Sequence, residues 1–141
     1  MSGTRAVPFA LDPRLAKDTA FIADWPLCRV LLMDDARFPW LILVPRAVDA
    51  AELDDLQPQD RITLLHEVER AMQALRGVTS CEKLNIGALG NIVRQLHVHV
   101  VARSVGDAAW PGPVWGAGSA TPHEPAARAA LVERLRAAAQ A

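Results

Sequence analysis

The sequence predicts an α+β domain in which helices pack on an antiparallel sheet of about five strands. Two apolar runs of strand length, at 27–35 and 40–46, are rich in Leu, Val and Ile. A helical stripe of apolar residues follows over 59–76, and a strict alternation of apolar and polar residues occupies 95–101. Because 141 residues suffice for one core, we expect a single domain over 1–141.

The first predicted element is a short helix in "FALDPRLAKDT", where Asp12 can cap the N-terminus and Pro13 takes the first helical position. The two apolar runs are joined by "DARFP", a sequence with turn-forming residues. They therefore predict a hairpin of two buried strands, the second of which Pro45 ends or places at a sheet edge.

The long helix is predicted over 59–76, directly after Pro58, with Gly77 as its C-terminal cap. Its stripe consists of Leu64, Leu65, Val68, Met72 and Leu75. The segment "KLNIGALGNIVRQLHVHVVAR" then predicts a strand, a glycine-containing loop and a second strand.

The remainder of the chain divides into a loop and a helix. Residues 104–123 are rich in Gly and Pro and contain two tryptophans, which indicates an ordered loop or flap. Residues 124–141 are rich in Ala and place Leu131 and Leu135 at helical spacing, which predicts a C-terminal helix.

Composition excludes several classes of protein. The net charge of −1 and the pI of about 6.4 argue against a nucleic-acid-binding or membrane-binding surface. Cys28 and Cys81 have neither CxxC spacing nor partners, so a disulfide framework is not expected. The N-terminal 14 residues have no apolar core of signal-peptide length. We therefore expect a protein of the reducing cytoplasm.

The most informative stretch is "GNIVRQLHVHVVAR", residues 90–103. If it is a strand, Gln95, His97 and His99 share one face. Two imidazoles on one face can provide a nucleophile, a general acid or base, or metal ligands. They can equally be polar residues on the exposed face of a sheet. A zinc site would need further ligands, for which Cys81, His66 or His123 are available without any supporting spacing.

A glycine-containing loop, "NIGALGN", precedes the histidine pair. Gly87 and Gly90 would let backbone amides approach a phosphate closely, although such a loop is also an ordinary turn. Together, the loop and the pair suggest a phosphoryl group held between backbone amides and imidazoles.

These residues resemble the histidine triad (HIT) family of nucleotide hydrolases and transferases. The family signature alternates three histidines with apolar residues after an Asn-x-Gly…Gly loop. The matching run is Gln95-Leu96-His97-Val98-His99-Val100-Val101, after Asn85-x-Gly87…Gly90-Asn91. The resemblance extends over about residues 10–103, including a strand pair that ends in Val-Pro-Arg. The "DAAWPGPVWG" tail resembles a bacterial subgroup in which Gln replaces the first histidine.

The resemblance implies roles for three catalytic residues. His97 matches the histidine that forms a nucleotidyl intermediate by attack on an α-phosphorus, and water then releases a nucleoside monophosphate. His99 matches the last triad position and would contact phosphate oxygens. Gln95 departs from the pattern, because its side chain cannot carry a proton or a charge, while its backbone carbonyl can still orient His97.

The resemblance also implies a substrate-binding set. Asp34, or its neighbour Asp35, falls where the family hydrogen-bonds ribose hydroxyls; a turn-forming Asp pair is the alternative. Asn85 falls near the phosphates or ribose, and Gly90 and Asn91 would surround the phosphoryl group. Two other residues, Trp110 and Trp115, could stack on a base or pack against the sheet or a second subunit.

The implied function is a nucleotide phosphohydrolase or nucleotidyl transferase that needs no cofactor or metal and binds a purine nucleotide. Its substrate would be a dinucleoside polyphosphate, a nucleoside phosphoramidate or a nucleotide sugar. The alternative is a nucleotide sensor whose catalytic site is weakened by the loss of the first histidine, and a metal-dependent hydrolase ranks third. A homodimer is expected, since family members often pair and sheet edges need covering.

Overall fold

The computed structural model describes residues 8–140 and contains five strands, three α-helices and one 3-10 turn. The prediction of an α+β fold with about five antiparallel strands is confirmed. The strands are β1 (Thr19–Asp24), β2 (Cys28–Met33), β3 (Trp40–Pro45), β4 (Lys83–Gly87) and β5 (Val98–Arg103). The helices are α1 (Pro13–Asp18), α2 (Pro58–Val78) and α3 (Pro125–Ala139), and the 3-10 turn is Leu53–Asp55.

The sheet has the order β1-β2-β3-β5-β4, and every neighbouring pair is antiparallel. β1 and β4 are thus the edge strands. β5 lies between β3 and β4, where Ile42 and Gly87 are the partners of His99. This pairing places the histidine strand inside the sheet, so its side chains are held from both sides.

The two faces of the sheet carry different cores. On one face α2 and α3 cover alternate residues of the strands, including Leu41, Leu43, Val98 and Val100. On the other face a smaller core forms around Trp40, with the loop after β5 packed over it. The period-two alternation of β5 therefore assigns its valines at 98 and 100 to the helical face and His99 to the opposite face.

One strand was missed by the sequence analysis, and one predicted helix cap was wrong. β1 was not predicted, because its sequence "TAFIAD" directly continues the N-terminal helix without a turn residue. Gly77 does not cap α2, which ends after Val78. A Cβ at Gly77 would lie 3.0 Å from the Cβ of Ala138. The glycine therefore permits α2 and α3 to approach closely, which a helical period does not reveal.

A buried ion pair anchors the segment after β5. Arg103, 1% exposed, makes two hydrogen bonds to Asp107, with Nε–Oδ2 at 2.8 Å and Nη2–Oδ1 at 2.9 Å. Its guanidinium also lies against the rings of Phe38 and Trp110. This pair fixes the direction in which residues 104–123 leave the sheet and return over the face that carries the histidines.

The predicted C-terminal helix is present as α3 and ends at Ala139. Residue 141 and residues 1–7, to which the signal-peptide expectation partly applies, lie outside the described residues. Within residues 8–140, no helix has the length and apolar character needed to cross a membrane.

Candidate active site

A cavity of about 680 Å³ opens on the histidine face of the sheet. His97 and His99 form part of its floor, and both are more than nine-tenths buried. Its walls come from α1, from the loop containing Gly90 and Asn91, and from residues 114–122 of the returning segment. The volume is in the range that small-molecule ligands occupy in proteins.

His97 is held by the residue two positions before it. Its Nδ1 lies 2.7 Å from the backbone carbonyl oxygen of Gln95. Since a carbonyl only accepts hydrogen bonds, Nδ1 must carry the proton. In the neutral ring Nε2 then bears the lone pair, which is the form of imidazole that attacks an electrophile.

His99 has the opposite tautomer. The indole Nε1–H of Trp40 donates to its Nδ1 at 2.9 Å. An indole N–H is a donor only, so Nδ1 of His99 accepts and its proton sits on Nε2. The two imidazole rings, 4.9 Å apart between centroids, thus provide a lone pair on His97 and an N–H donor on His99.

Burial, together with the neighbouring His97, lowers the pKa of His99 from 6.5 to about 4. The ring therefore stays neutral at physiological pH and keeps the tautomer that Trp40 selects. A neutral N–H donor can bind a phosphate oxygen without giving up its proton at the start of the reaction.

The lowered pKa of His99 makes stability depend on pH. Between pH 6.5 and 4 the unfolded chain binds a proton that the folded chain does not, so stability falls as pH decreases through this window. We expect this group to remove about 3 kcal/mol between pH 7 and 4. The contribution of His99 is isolated by urea unfolding of wild type and His99→Gln at pH 7 and pH 4. Both proteins have the same carboxylates, so the difference between their losses of stability belongs to His99. An equal loss in the two proteins would contradict it.

The Trp40 indole is expected to control the tautomer of His99. Trp40→Phe keeps the aromatic contact but removes the donor, so the proton of His99 can occupy either nitrogen. We expect turnover to fall about tenfold, the effect of one lost hydrogen bond in a buried site. Nitrogen-15 NMR of the histidine rings reports the tautomer directly. Trp25→Phe is the matched control, because Trp25 lies on the helical face beside Arg70. If Trp40→Phe left both the turnover rate and the tautomer of His99 unchanged, Trp40 would not control that tautomer.

The side chain of Gln95 is bound to the N-terminal segment and does not line the cavity. Gln95, like His97, lies before strand β5, which begins at Val98. Its Oε1 accepts from the amide of Asp12 at 2.8 Å, and its Nε2 donates to the carbonyl of Ala10 at 2.9 Å. The backbone carbonyl of Gln95 is the part of this residue that bonds to the histidine pair.

Asp34 lies on the cavity wall, at the end of the β2–β3 hairpin. Its Oδ1 accepts from the amide of His123 at 2.8 Å and lies 3.0 Å from that ring's Nδ1, while Oδ2 accepts from Arg128. The His123 amide and ring hold the pKa of Asp34 below its ordinary value. A carboxylate has about four acceptor positions, so Asp34 keeps capacity for one further donor.

Asp35 has a structural role. It is 1% exposed, and its carboxylate binds the guanidinium of Arg37 and the amide of Thr121. Arg37 in turn donates to the carbonyl of Ala117. These bonds therefore attach the hairpin turn to the returning segment, a contact between distant parts of the chain that sequence patterns do not predict.

The residues between the start of β4 and β5 that were expected to surround a phosphate have different surroundings. Gly90, with φ of +73°, and Asn91 line the cavity. Asn85 instead pairs with Arg103, whose Nη1 donates to its Oδ1 at 2.8 Å, and it is not part of the cavity lining. A Cβ on Gly87 would lie 2.9 Å from the Trp115 ring, so this glycine accommodates an indole and not a phosphate.

The two tryptophans of the returning segment have separate environments. Trp115 lines the cavity, with its ring centroid 5.4 Å from that of His99. Trp110 packs over Arg103. Sequence reasoning missed Trp40 as a partner of His99; only the pairing of β3 with β5 brings them together.

The histidine pair has no metal-binding cluster around it in the part of the chain that the structure describes. Residues 8–140 contain no group of three His, Cys, Asp or Glu side chains with the spacing of a metal site. Of the candidate further ligands, His66 lies on α2, beyond the sheet from the cavity, and His123 is bound to Asp34. Within the described residues, His97 and His99 therefore have no third candidate ligand beside them.

Comparison with known proteins identifies the family. The HIT domain model matches residues 14–106, which is most of the chain. The chain belongs to the HIT domain family. Proteins of this family are generally nucleotide hydrolases or transferases. The match covers the hairpin, α2 and the histidine strand of this HIT protein, whereas α3 and most of the returning segment lie outside it.

Solved structures agree with the family model over nearly the whole chain. The HIT protein is similar to a histidine triad protein from Bradyrhizobium japonicum, with 46% identity and a TM-score of 0.91 over 94% of this chain and 98% of that one. A histidine triad protein from Sinorhizobium meliloti gives 48% identity and 0.90 over 92% and 96%. One from Marinobacter aquaeolei gives 38% and 0.91 over 95% and 98%. Comparison with curated proteins gave no significant match.

Proposed function

We propose that this HIT protein hydrolyses or transfers nucleotides by attack of His97 on the α-phosphorus of a purine nucleotide conjugate. The observation that carries the proposal is the complementary pair of tautomers on the cavity floor. His97 presents a lone pair at Nε2, and His99 presents a proton at Nε2. A phosphoryl group needs both, a nucleophile for phosphorus and a donor for its oxygens.

The proposed reaction has two steps. The Nε2 lone pair of His97 forms a bond to the α-phosphorus while the bond from phosphorus to the leaving group breaks, and the leaving group takes that electron pair. The ring becomes a cation, which the Gln95 carbonyl stabilises by accepting from Nδ1–H. Water or another acceptor then attacks phosphorus, the phosphorus–nitrogen bond breaks, and His97 returns to its neutral form.

Other cavity residues have proposed binding roles. Gly90 and Asn91 would hold the phosphoryl oxygens, by backbone amide and side-chain amide, beside His99. Asp34 has one acceptor position left for a ribose hydroxyl. Trp115 is placed to pack on the substrate, since its ring already flanks His99. Asn85 is not carried into this set, because Arg103 occupies its carbonyl oxygen.

The second candidate function is a nucleotide sensor with little turnover. It is favoured by one observation: Gln95 supplies no third ionisable group to the cavity, because its side chain is bound to the N-terminal segment. The sensor and the enzyme share the same pocket. They differ only in whether a covalent intermediate forms and is released.

A trapping experiment tests the proposal. Purified protein is mixed with a diadenosine polyphosphate, an adenosine phosphoramidate or a nucleotide sugar, and quenched in alkali, where a phosphorus–nitrogen bond survives. We expect peptide mass spectrometry to locate a nucleotidyl group on His97, and the best substrate defines the leaving group. Binding of AMP without any adduct or released monophosphate across the panel would favour the sensor. Labelling of another residue would reject the mechanism.

We also propose that the protein acts as a homodimer in a reducing, cytoplasmic setting. Edge strand β4 exposes Ile86, and α2 exposes Ile62 and Leu65, apolar side chains that a second copy would cover. Cys28 and Cys81 are both free thiols. Sedimentation equilibrium tests the assembly: a monomer at all concentrations, unchanged by Ile86→Lys, would reject it.

A further inference from the structure

We propose that the Gln95 side chain is a positioning group that holds the N-terminal wall of the nucleotide cavity. The N-terminal wall is defined as residues 9–18, and the inference rests on the proposed function of the cavity. In this view the residue that replaces the first histidine of the triad serves substrate binding, while its backbone carbonyl serves the nucleophile.

The contacts of Gln95 form a matched pair. Its carboxamide accepts from the amide of Asp12 at 2.8 Å and donates to the carbonyl of Ala10 at 2.9 Å. A carboxamide offers one acceptor and one donor side by side, as a peptide group does. It therefore pairs with the extended backbone of residues 10–12 in the way that a neighbouring strand would.

The N-terminal wall borders the cavity directly. Four residues of α1 line the cavity: Arg14, Leu15, Lys17 and Asp18. The helix begins immediately after the clamped residues, and the Asp12 side chain caps it by accepting from the Arg14 amide. Displacement of residues 10–12 would thus displace the whole of α1 from the mouth of the cavity.

A second contact ties the N-terminal wall to the opposite wall. The Arg14 guanidinium donates to the carbonyl of Ile92 at 3.0 Å, in the loop that carries Gly90 and Asn91. The Arg14 side chain is largely exposed, so this contact alone is weak. Gln95 is less exposed and lies two residues from His97, which makes it the stronger attachment.

The chemistry explains why glutamine suits position 95. A glutamate would keep the acceptor for Asp12 but would turn a carboxylate toward the carbonyl of Ala10. A histidine has one donor and one acceptor in its neutral form, but they lie on a rigid ring and point in diverging directions. Restoring the family's histidine should therefore loosen the N-terminal wall and not improve the enzyme.

Three variants of Gln95 test this inference in the full-length protein. For Gln95→Ala and Gln95→His we expect AMP affinity to fall about tenfold and KM to rise by a similar factor. The effect on kcat should stay within about threefold, because every variant keeps the backbone carbonyl that orients His97. Gln95→Glu should fall between these variants and wild type. Hydrogen exchange at the Asp12 amide should accelerate about tenfold in Gln95→Ala.

A matched pair of variants tests the contact from the other side. Asp12→Pro removes the amide that donates to Gln95, and the φ of −54° at this position is one that proline adopts. Asp12→Ala keeps the amide and removes only the cap. We expect Asp12→Pro to bind AMP several-fold more weakly than Asp12→Ala. Both leave the Gln95 side chain intact, so they decide the question even where Gln95→Ala fails to fold.

Several outcomes would overturn the inference. One is a Gln95→Ala variant whose AMP affinity and Asp12 amide exchange equal those of wild type. Another is a Gln95→His variant that binds AMP more tightly and reacts faster than wild type. The third is a Gln95 variant in which only kcat falls, while KM and AMP affinity stay unchanged. Failure of the proposed function is distinguishable, because it would show as no adduct and no turnover in wild type. The AMP affinity and exchange measurements do not depend on turnover and still decide the role of Gln95.

Discussion

His97→Ala is expected to lose at least about a thousandfold in single-turnover release of nucleoside monophosphate, since removal of a nucleophile eliminates the covalent route. AMP affinity should remain within about threefold of wild type, because the remaining lining of the 680 Å³ cavity is unchanged. Rapid quench against the best substrate of the panel measures the rate, and calorimetry measures the affinity.

His66→Ala is the matched control for this variant. His66 lies on the exposed side of α2, so the same substitution there should leave both rate and affinity unchanged. A His97→Ala rate within tenfold of wild type would show that the imidazole is not the nucleophile. Loss of AMP binding together with the rate would indicate a folding defect, which thermal unfolding would reveal.

The second large effect is on stability. Asp107→Ala is expected to lower the free energy of unfolding by about 3–5 kcal/mol, because it leaves the guanidinium of Arg103 buried without its carboxylate. Asp24→Ala is the control: its ion pairs with Arg29 and Arg46 are partly exposed, so the loss should be about 1 kcal/mol or less. Urea unfolding at pH 7 measures both, and equal losses would contradict the argument.

Two further measurements isolate the buried charge. Adding Arg103→Met to Asp107→Ala should recover part of the lost stability, since the unpaired guanidinium is then removed. The hydrogen bonds from Arg103 hold the pKa of Asp107 well below its ordinary value. The ion pair's contribution to the free energy of unfolding is therefore present above about pH 4 and is lost as the pH falls below that value. Wild type should show this loss of stability, whereas Asp107→Ala should not.

The histidine pair was predictable from the sequence because a strand alternates faces with period two. This rule placed His97 and His99 on one side, and the structure finds their rings 4.9 Å apart. Helical periodicity likewise identified α2 and its buried Leu64, Val68 and Leu75, although Leu65, which was assigned to the same stripe, is exposed. Apolar runs identified the hairpin of β2 and β3. These features depend on residues near one another in the chain, which patterns of apolar residues describe well.

The contacts that set the chemistry of the site were not predictable in the same way. The tautomer of His99 depends on Trp40, which lies 59 residues away in the chain. The Gln95 side chain is bound 85 residues away, to Ala10. Neither contact leaves a periodic signature in the sequence, because each depends on a single side chain. Their partners follow only from the order in which the strands pair.

The placement of the tryptophans also has an optical consequence. The chain contains four tryptophans and no tyrosine, so fluorescence excited above the absorption of phenylalanine comes from indole rings alone. Trp40 and Trp115 stand edge to face, 6.5 Å apart, and both flank His99, whereas Trp25 and Trp110 stack on arginines elsewhere. A molecule that enters the cavity must change the surroundings of half of the fluorophores. The unlabelled protein therefore carries its own reporter of occupancy.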